Sequence, residues 1–86
     1  MQNNNPNRLK TILTITGSDS TGGSGVQADI RTIAALGGYA VSAVTSVTVQ
    51  NTLGIQAFYD LPAEIVRGQI EAIINDMQPD TVKVGM

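Results

Sequence analysis

The chain has 86 residues, of which 42% are hydrophobic and 14% charged, so its composition is globular rather than disordered. Its formal net charge of −2 argues against nucleic acid as the main partner. Without cysteine there is no disulfide or thiolate metal site, and without histidine the commonest general base and metal ligand are missing. Any chemistry must therefore use carboxylates, lysine, hydroxyls and the main chain.

Residues 1–8 are polar and are predicted to form a flexible tail. They lack the apolar core of a signal peptide, and no later apolar run reaches the length that a bilayer requires. We therefore expect a cytoplasmic protein without a membrane partner.

The first part of the chain predicts a strand, a turn and a helix. Residues 10–16 are apolar and β-branched, which is typical of a strand. A glycine-rich segment over residues 17–29 follows, and it leads into a helix predicted over residues 26–36. Gly37 and Gly38 are expected to end it. The predicted apolar face of this helix consists of Val26, Ile30, Ile33 and Ala34.

The next segment predicts a buried strand over residues 41–49, a loop over 50–54 and a short edge strand over 55–61. Asp60 is expected to cap a second helix that opens at residues 62–64. The predicted apolar face of that helix consists of Val66, Ile70, Ile73, Ile74 and Met77.

A break at residues 78–80 precedes a fourth predicted strand over 81–86. The order β-α-β-β-α-β predicts an α/β fold, with a mostly parallel sheet flanked by helices. Two helices cover such a sheet poorly. The sequence is therefore expected to be the front portion of a larger domain.

The glycine-rich segment is close to two phosphate-binding motifs without satisfying either. Residues 17–24 fit a P-loop except that Gly23 stands where the motif requires lysine. Residues 23–28 fit the dinucleotide fingerprint, but the second predicted strand ends in residues 49–51 without the acidic residue that would hold the ribose. A tight turn without any ligand is the remaining alternative.

Five segments of the chain carry specific motifs in a fixed order, namely residues 13–19, 22–29, 35–39, 49–52 and 82–86. Together they resemble the hydroxymethylpyrimidine and phosphomethylpyrimidine kinases of thiamine biosynthesis, within the ribokinase-like superfamily. Pyridoxal kinases of the same superfamily are the nearest alternative. The resemblance implies that the glycine-rich segment lines a substrate pocket rather than a phosphate site.

The resemblance implies that Gln50 reads the aminopyrimidine, for which a carboxamide offers one donor and one acceptor. It places Asp29 near the substrate hydroxymethyl group, in what we expect to be the first turn of the first helix. The helix dipole alone would favour a carboxylate there. Without the resemblance, Gln50 would be interpreted as a loop amide facing water.

The resemblance also implies a main-chain contact from Gly17 and packing of Met86 on the pyrimidine ring, where a core methionine is the alternative. Thr48 and Ser24 are expected to line the same pocket. Lys83 is left open between a pocket group and an exposed strand residue.

No catalytic residue and no metal ligand is predicted within the chain. The resemblance implies that ATP and Mg²⁺ are bound mainly by a C-terminal part that residues 9–86 do not include, so this segment alone is expected to be inert. A non-catalytic truncated product is the second alternative to a pyrimidine kinase. The expected partner is a small pyrimidine. Whether the full-length protein forms a homo-oligomer is left open.

Overall fold

The computed structural model describes residues 9–85, so the predicted tail and Met86 lie outside the described residues. The predicted order of elements and the α/β class are confirmed. The elements are β1 (Thr11–Ser18), α1 (Gly25–Ala35), β2 (Tyr39–Asn51), β3 (Gly54–Asp60), α2 (Ala63–Met77) and β4 (Thr81–Val84).

The four strands form one sheet in the order β3-β2-β1-β4. β1 pairs in parallel with both β2 and β4, while β3 pairs antiparallel with β2. The predicted position of β3 at a sheet edge is confirmed. The sheet is therefore mostly parallel, with β1 at its centre.

Side chains on both faces of β1 are buried. Leu13 and Thr14 are successive residues of this strand, so they point to opposite faces, and both are fully buried. Ala43 of β2 is also fully buried. The core of the described chain thus lies along β1 and the adjacent part of β2.

The first helix buries only part of its predicted apolar face. Val26 and Ile33 are buried, whereas Ile30 is 41% exposed and Ala34 is also exposed. α1 packs on β1 and β2, and no other helix or strand of the described residues packs against it. Gly37 follows the helix with φ +87°, as expected for a terminating glycine.

The second helix begins differently from its prediction. Pro62, not Asp60, occupies the N-cap position, and no side chain caps the helix. Asp60 is instead the last residue of β3, where it pairs with Ser46. Of the predicted apolar face only Ile74 is exposed, and the other members are half-buried.

The strands next to the glycine-rich segment are longer than predicted. β1 continues to Ser18, and β2 continues to Asn51 because β3 pairs with its outer part. Gln50, predicted in a loop, therefore lies on a strand opposite Ile55. A register shift in the β1–β2 pairing follows Thr16.

β3 pairs with β2 only from Ser46 onwards, and α2 supplies hydrogen bonds to the edge of β2 before that point. The Gln69 side chain accepts a hydrogen bond from the Val44 N–H at 2.9 Å and donates one to the Val44 carbonyl at 2.9 Å. This pair of bonds satisfies both main-chain groups of a residue at a strand edge. Neither described helix is long and apolar enough to cross a membrane.

Candidate substrate site

A cavity of about 330 Å³ lies where β1 ends and α1 begins. Four of the predicted site residues line it, namely Gly17, Ser24, Thr48 and Gln50, so residues far apart in sequence meet here. This is the carboxyl end of a parallel strand, the usual position for ligands in open α/β sheets. The complete lining is Thr16, Gly17, Ser18, Asp19, Ser24, Gly25, Thr48, Gln50 and Ile55.

Gln50 is held at both its main chain and its side chain. The Ser20 hydroxyl donates to the Gln50 carbonyl at 2.6 Å and accepts from the Gln50 N–H at 3.2 Å. The Thr48 hydroxyl lies 2.7 Å from Gln50 Oε1 and 2.9 Å from the Ser18 carbonyl. These contacts join the outer part of β2 to the glycine-rich segment, so the amide has a defined position at the cavity wall.

Asp19 organises the turn between β1 and α1. Its buried carboxylate accepts four hydrogen bonds, from the N–H and hydroxyl of Thr21 and from the N–H and hydroxyl of Ser24, at 2.8–2.9 Å. The Thr21 N–H, followed by the Ser24 hydroxyl, lowers the pKa of Asp19 below its ordinary value, while burial opposes this effect. The carboxylate is therefore an internal anion around which the turn closes.

The same contacts explain why this turn is a poor phosphate cradle. The N–H groups of residues 21–24 all donate to partners within the turn: those of Thr21 and Ser24 to the Asp19 carboxylate, that of Gly22 to the Asp19 carbonyl, and that of Gly23 to the Thr21 hydroxyl. A P-loop directs such N–H groups at a bound phosphate. Here the side chain of Asp19 takes that place.

Gly25 allows the turn to pass close to β1. Its φ is +64°, and a Cβ at this position would collide with the main-chain oxygen of Gly17. Gln27 adds a further link, since its Oε1 accepts from the Asp19 N–H at 2.9 Å and its Nε2 donates to the Ser18 hydroxyl at 2.7 Å. Glycine and glutamine together hold the start of α1 against the end of β1.

Asp29 is outside the cavity lining and forms a second polar cluster. It lies in the second turn of α1 rather than the first, which corrects its predicted position. Its carboxylate accepts from the Thr14 hydroxyl at 2.5 Å and pairs with Lys83 Nζ at 2.9 Å. The Thr14 hydroxyl, followed by Lys83, lowers the pKa of Asp29, and burial acts against them.

The cluster bears on two of the sequence predictions. Lys83, which the sequence left open, is an ion-pair partner on β4 with a half-exposed side chain. The predicted substrate contact of Asp29 stays a prediction, as do the predicted roles of the cavity residues. Met86 lies outside the described residues.

Residues 9–85 do not fit ATP and Mg²⁺, which the sequence predicts to be bound mainly by a different part of the protein. No group of three or more His, Cys, Asp or Glu side chains lies together within residues 9–85. The N–H groups of the glycine-rich turn are also engaged internally, as described above. No step involving the metal is therefore assigned to these residues.

Several residues that build the site were not predicted from the sequence. Asp19, Ser18 and Ser20 were not predicted to act there, although the first two stand in the segment that carried the resemblance. An Asp two residues before a Thr and five before a Ser is a local signal for a turn built on side-chain hydrogen bonds. No local signal predicts Ile55, which enters the cavity lining only through the pairing of β3.

Solved structures with the same architecture are small-molecule kinases. The phosphomethylpyrimidine kinase of Clostridium difficile 630 matches with a TM-score of 0.85 and 50% identity over 88% of this chain and 35% of its own. The pyridoxal kinase of Staphylococcus aureus, in complex with AMP-PCP and pyridoxal, has a TM-score of 0.83 and 34% identity over 92% of this chain and 30% of its own. The predicted ribokinase-like fold class is confirmed.

The sequence comparison narrows this class to one family. The family model for phosphomethylpyrimidine kinase matches residues 19–86, so the chain belongs to that family. The hydroxymethylpyrimidine/phosphomethylpyrimidine kinase of Mycobacterium leprae is 53% identical over 75 residues, which are 87% of this chain. The chain spans 27% of the length of that relative.

Proposed function

We propose that the whole protein transfers the γ-phosphate of ATP to 4-amino-5-hydroxymethyl-2-methylpyrimidine and then to its monophosphate, giving the diphosphate used for thiamine. In each step an oxygen of the substrate attacks the γ-phosphorus, the bond from that phosphorus to the β–γ bridging oxygen breaks, and ADP leaves. The attacking oxygen is the hydroxymethyl oxygen in the first step, whose proton is released together with ADP, and an ionised phosphate oxygen in the second.

The single observation that carries this proposal is the cavity wall formed by Gln50, Thr48 and the glycine-rich turn. The cavity has a volume of about 330 Å³, which is suited to a one-ring ligand. This volume is at the lower end of the range of roughly 300–1,000 Å³ that is typical of small-molecule sites. The Gln50 amide supplies a donor and an acceptor to such a ring. The role of this chain is to bind and orient the pyrimidine.

The test is Gln50→Ala in a complete kinase. Residues 9–86 would replace the matching segment of the Clostridium difficile enzyme, with which this chain shares 50% identity. We expect the KM for the hydroxymethylpyrimidine to rise about 5- to 150-fold, which corresponds to roughly 1–3 kcal/mol for polar groups left without a partner. We call this hybrid enzyme the graft, and steady-state kinetics on the purified graft would measure the change in KM.

The matched control is Gln56→Ala, which removes an exposed amide from β3, outside the cavity lining. We expect this variant to keep the KM of the parent graft. An unchanged KM in Gln50→Ala would remove the assignment of this residue to the pyrimidine.

Pyridoxal phosphorylation is the second candidate, supported by the likeness to pyridoxal kinases. The identity of 34% to the Staphylococcus aureus enzyme is lower than the 50–53% to the pyrimidine kinases, and this difference favours the pyrimidine. Competition between the two substrates in the same graft separates the candidates. A kcat/KM for pyridoxal above that for the hydroxymethylpyrimidine would reverse our choice.

We further propose that the protein acts in the cytoplasm. We also propose that ATP and Mg²⁺ are held mainly by a part of the protein other than this chain. The 86-residue chain by itself is then expected to show no pyrimidine-dependent release of ADP. A coupled ADP assay on the isolated chain tests this expectation, and turnover comparable to that of the graft would contradict it.

A further inference from the structure

The contacts of the Thr48 hydroxyl restrict how the Gln50 amide can be turned. Its oxygen faces two acceptors, the Ser18 carbonyl at 2.9 Å and Gln50 Oε1 at 2.7 Å. A hydroxyl carries a single proton, so it donates fully to only one of them. While Gln50 Oε1 faces the Thr48 hydroxyl, one of these two close oxygen–oxygen contacts has no proton between its atoms.

Turning the amide by half a revolution satisfies both contacts. The oxygen and nitrogen of a carboxamide have nearly the same shape, so the surrounding hydrogen bonds decide which end faces which neighbour. The Ser18 carbonyl can only accept, so it takes the Thr48 proton. The Thr48 oxygen is then an acceptor, and Gln50 Nε2 is the amide atom that can donate to it.

We propose that Thr48 is a positioning residue that orients the Gln50 amide, with Nε2 directed at the Thr48 oxygen and Oε1 free to accept from a ligand. Nε2 carries two protons, and the second can donate to the ligand beside Oε1. The cavity thereby presents its acceptor and donor in a fixed order. Ser20 contributes by holding the Gln50 main chain through its own hydroxyl.

The order of acceptor and donor selects a ligand class, and this step rests on the proposed function. A ring that carries an amino group next to a ring nitrogen matches this order, because its amino group donates to Oε1 and its ring nitrogen accepts from Nε2. A ring with a carbonyl oxygen in place of the amino group sets an acceptor against Oε1. Thr48 is therefore a determinant of selectivity for aminopyrimidines over oxopyrimidines.

The amide orientation can be tested on the 86-residue chain by NMR, without any assay of function. We expect a nuclear Overhauser effect between one Gln50 Nε2 proton and the Thr48 β-proton or hydroxyl proton. Thr48→Val removes the hydroxyl with little change of shape and should shift that amide proton to the position of a solvent-exposed glutamine. Thr48→Ser should keep its shift. An Nε2 proton that Thr48→Val leaves unmoved would overturn the proposal.

The selectivity is tested in the graft described above, with the aminopyrimidine and its oxo analogue as probes. Thr48→Val should lower the amino-to-oxo ratio of kcat/KM by at least about fivefold, because the released amide can turn to suit either ring. Thr48→Ser should keep the ratio within about twofold of the parent. An equal loss on both substrates in Thr48→Val would indicate structural damage and overturn the selectivity role.

The two experiments separate failure of this inference from failure of the proposed function. A parent graft that does not phosphorylate the aminopyrimidine contradicts the proposed function, and the NMR measurement still decides the amide orientation. An active graft with an unchanged selectivity in Thr48→Val contradicts the inference alone.

Discussion

The two helices of this chain begin in different ways. α1 starts at a turn closed by the Asp19 carboxylate, and its N-cap residue Ser24 donates its hydroxyl to that carboxylate instead of capping the helix. α2 starts at Pro62 without any side-chain cap. The start of α1 is part of the cavity lining and the start of α2 is not. The main chain is thus fixed by side chains where the site lies.

Burial follows the same division. α1 has two buried residues and packs on β1 and β2, whereas α2 has none and contacts β2. Every residue of β3 is exposed. We therefore expect the stability of the described chain to depend more on the turn that leads into α1 than on α2. Four substitutions test this difference, in order of decreasing effect.

Gly25→Ala should have the largest effect. The added Cβ would collide with the Gly17 main-chain oxygen at a residue whose φ is +64°. We expect the free energy of unfolding to fall by roughly 2–4 kcal/mol, from overpacking combined with the left-handed conformation. Urea denaturation of the 86-residue chain followed by circular dichroism would measure the change. A loss below about 1 kcal/mol would mean that the turn can move away from β1.

Asp19→Asn should make the stability less dependent on pH. The pKa of Asp19 is lowered in the folded state, so its charge contributes stability above the unfolded pKa of about 3.9. That contribution is lost as the pH falls through the folded value. The difference in urea midpoint between the parent and Asp19→Asn should therefore be large at pH 6 and shrink below about pH 4.

The control for this titration is Asp76→Asn, which changes an exposed carboxylate of α2. Because this carboxylate lies outside the turn, we expect a smaller change in urea midpoint at pH 6 than Asp19→Asn gives. A gap between the parent and Asp19→Asn that stays constant from pH 2 to pH 6 would show that shape rather than charge closes the turn.

Gln69→Ala tests the two hydrogen bonds between the Gln69 side chain and Val44, which join α2 to the edge of β2. It removes both hydrogen bonds to Val44 while placing a strong helix former in α2. We expect a loss of about 1–2 kcal/mol, measured by urea denaturation. Gln56→Ala is the comparison variant, since it removes an exposed amide from β3. Equal stability of the two variants would mean that the two hydrogen bonds to Val44 do not stabilise the fold.

Gly68→Ala should give the smallest change and the opposite sign. Gly68 lies within α2, and a Cβ at this position would meet nothing within 4 Å. We expect a gain of roughly 0.5–1 kcal/mol, because alanine loses less conformational entropy than glycine in a helix. Thermal unfolding of this variant beside Gly25→Ala gives a direct comparison of the two helices. A loss of stability would place Gly68 in a contact that the described residues do not make.

Much of the fold was predictable because its signals are local. Helical spacing of apolar residues, glycine after α1 and β-branched runs indicated each element near its observed place. The errors have a common cause. Gln50 was placed in a loop and Asp60 was assigned as a cap, and both outcomes depended on the pairing of β3 with β2.

The candidate site was predictable in part. Gly17, Ser24, Thr48 and Gln50 line one cavity, as the resemblance implied, but Asp29 lies in a separate cluster with Thr14 and Lys83. The contacts that orient Gln50 were not predictable. Ser20 and Gln50 are 30 residues apart, and so are Ser18 and Thr48.

The sequence by itself determined the kind and order of the elements and the family, because periodicity, glycine placement and motif spacing are properties of adjacent residues. Only the tertiary structure decided that Thr48 stands between Ser18 and the Gln50 amide and that Ser20 holds the Gln50 main chain. The physical reason is that hydrogen-bond partners are selected by distance and direction in space. The pairing of β1 with β2 sets both.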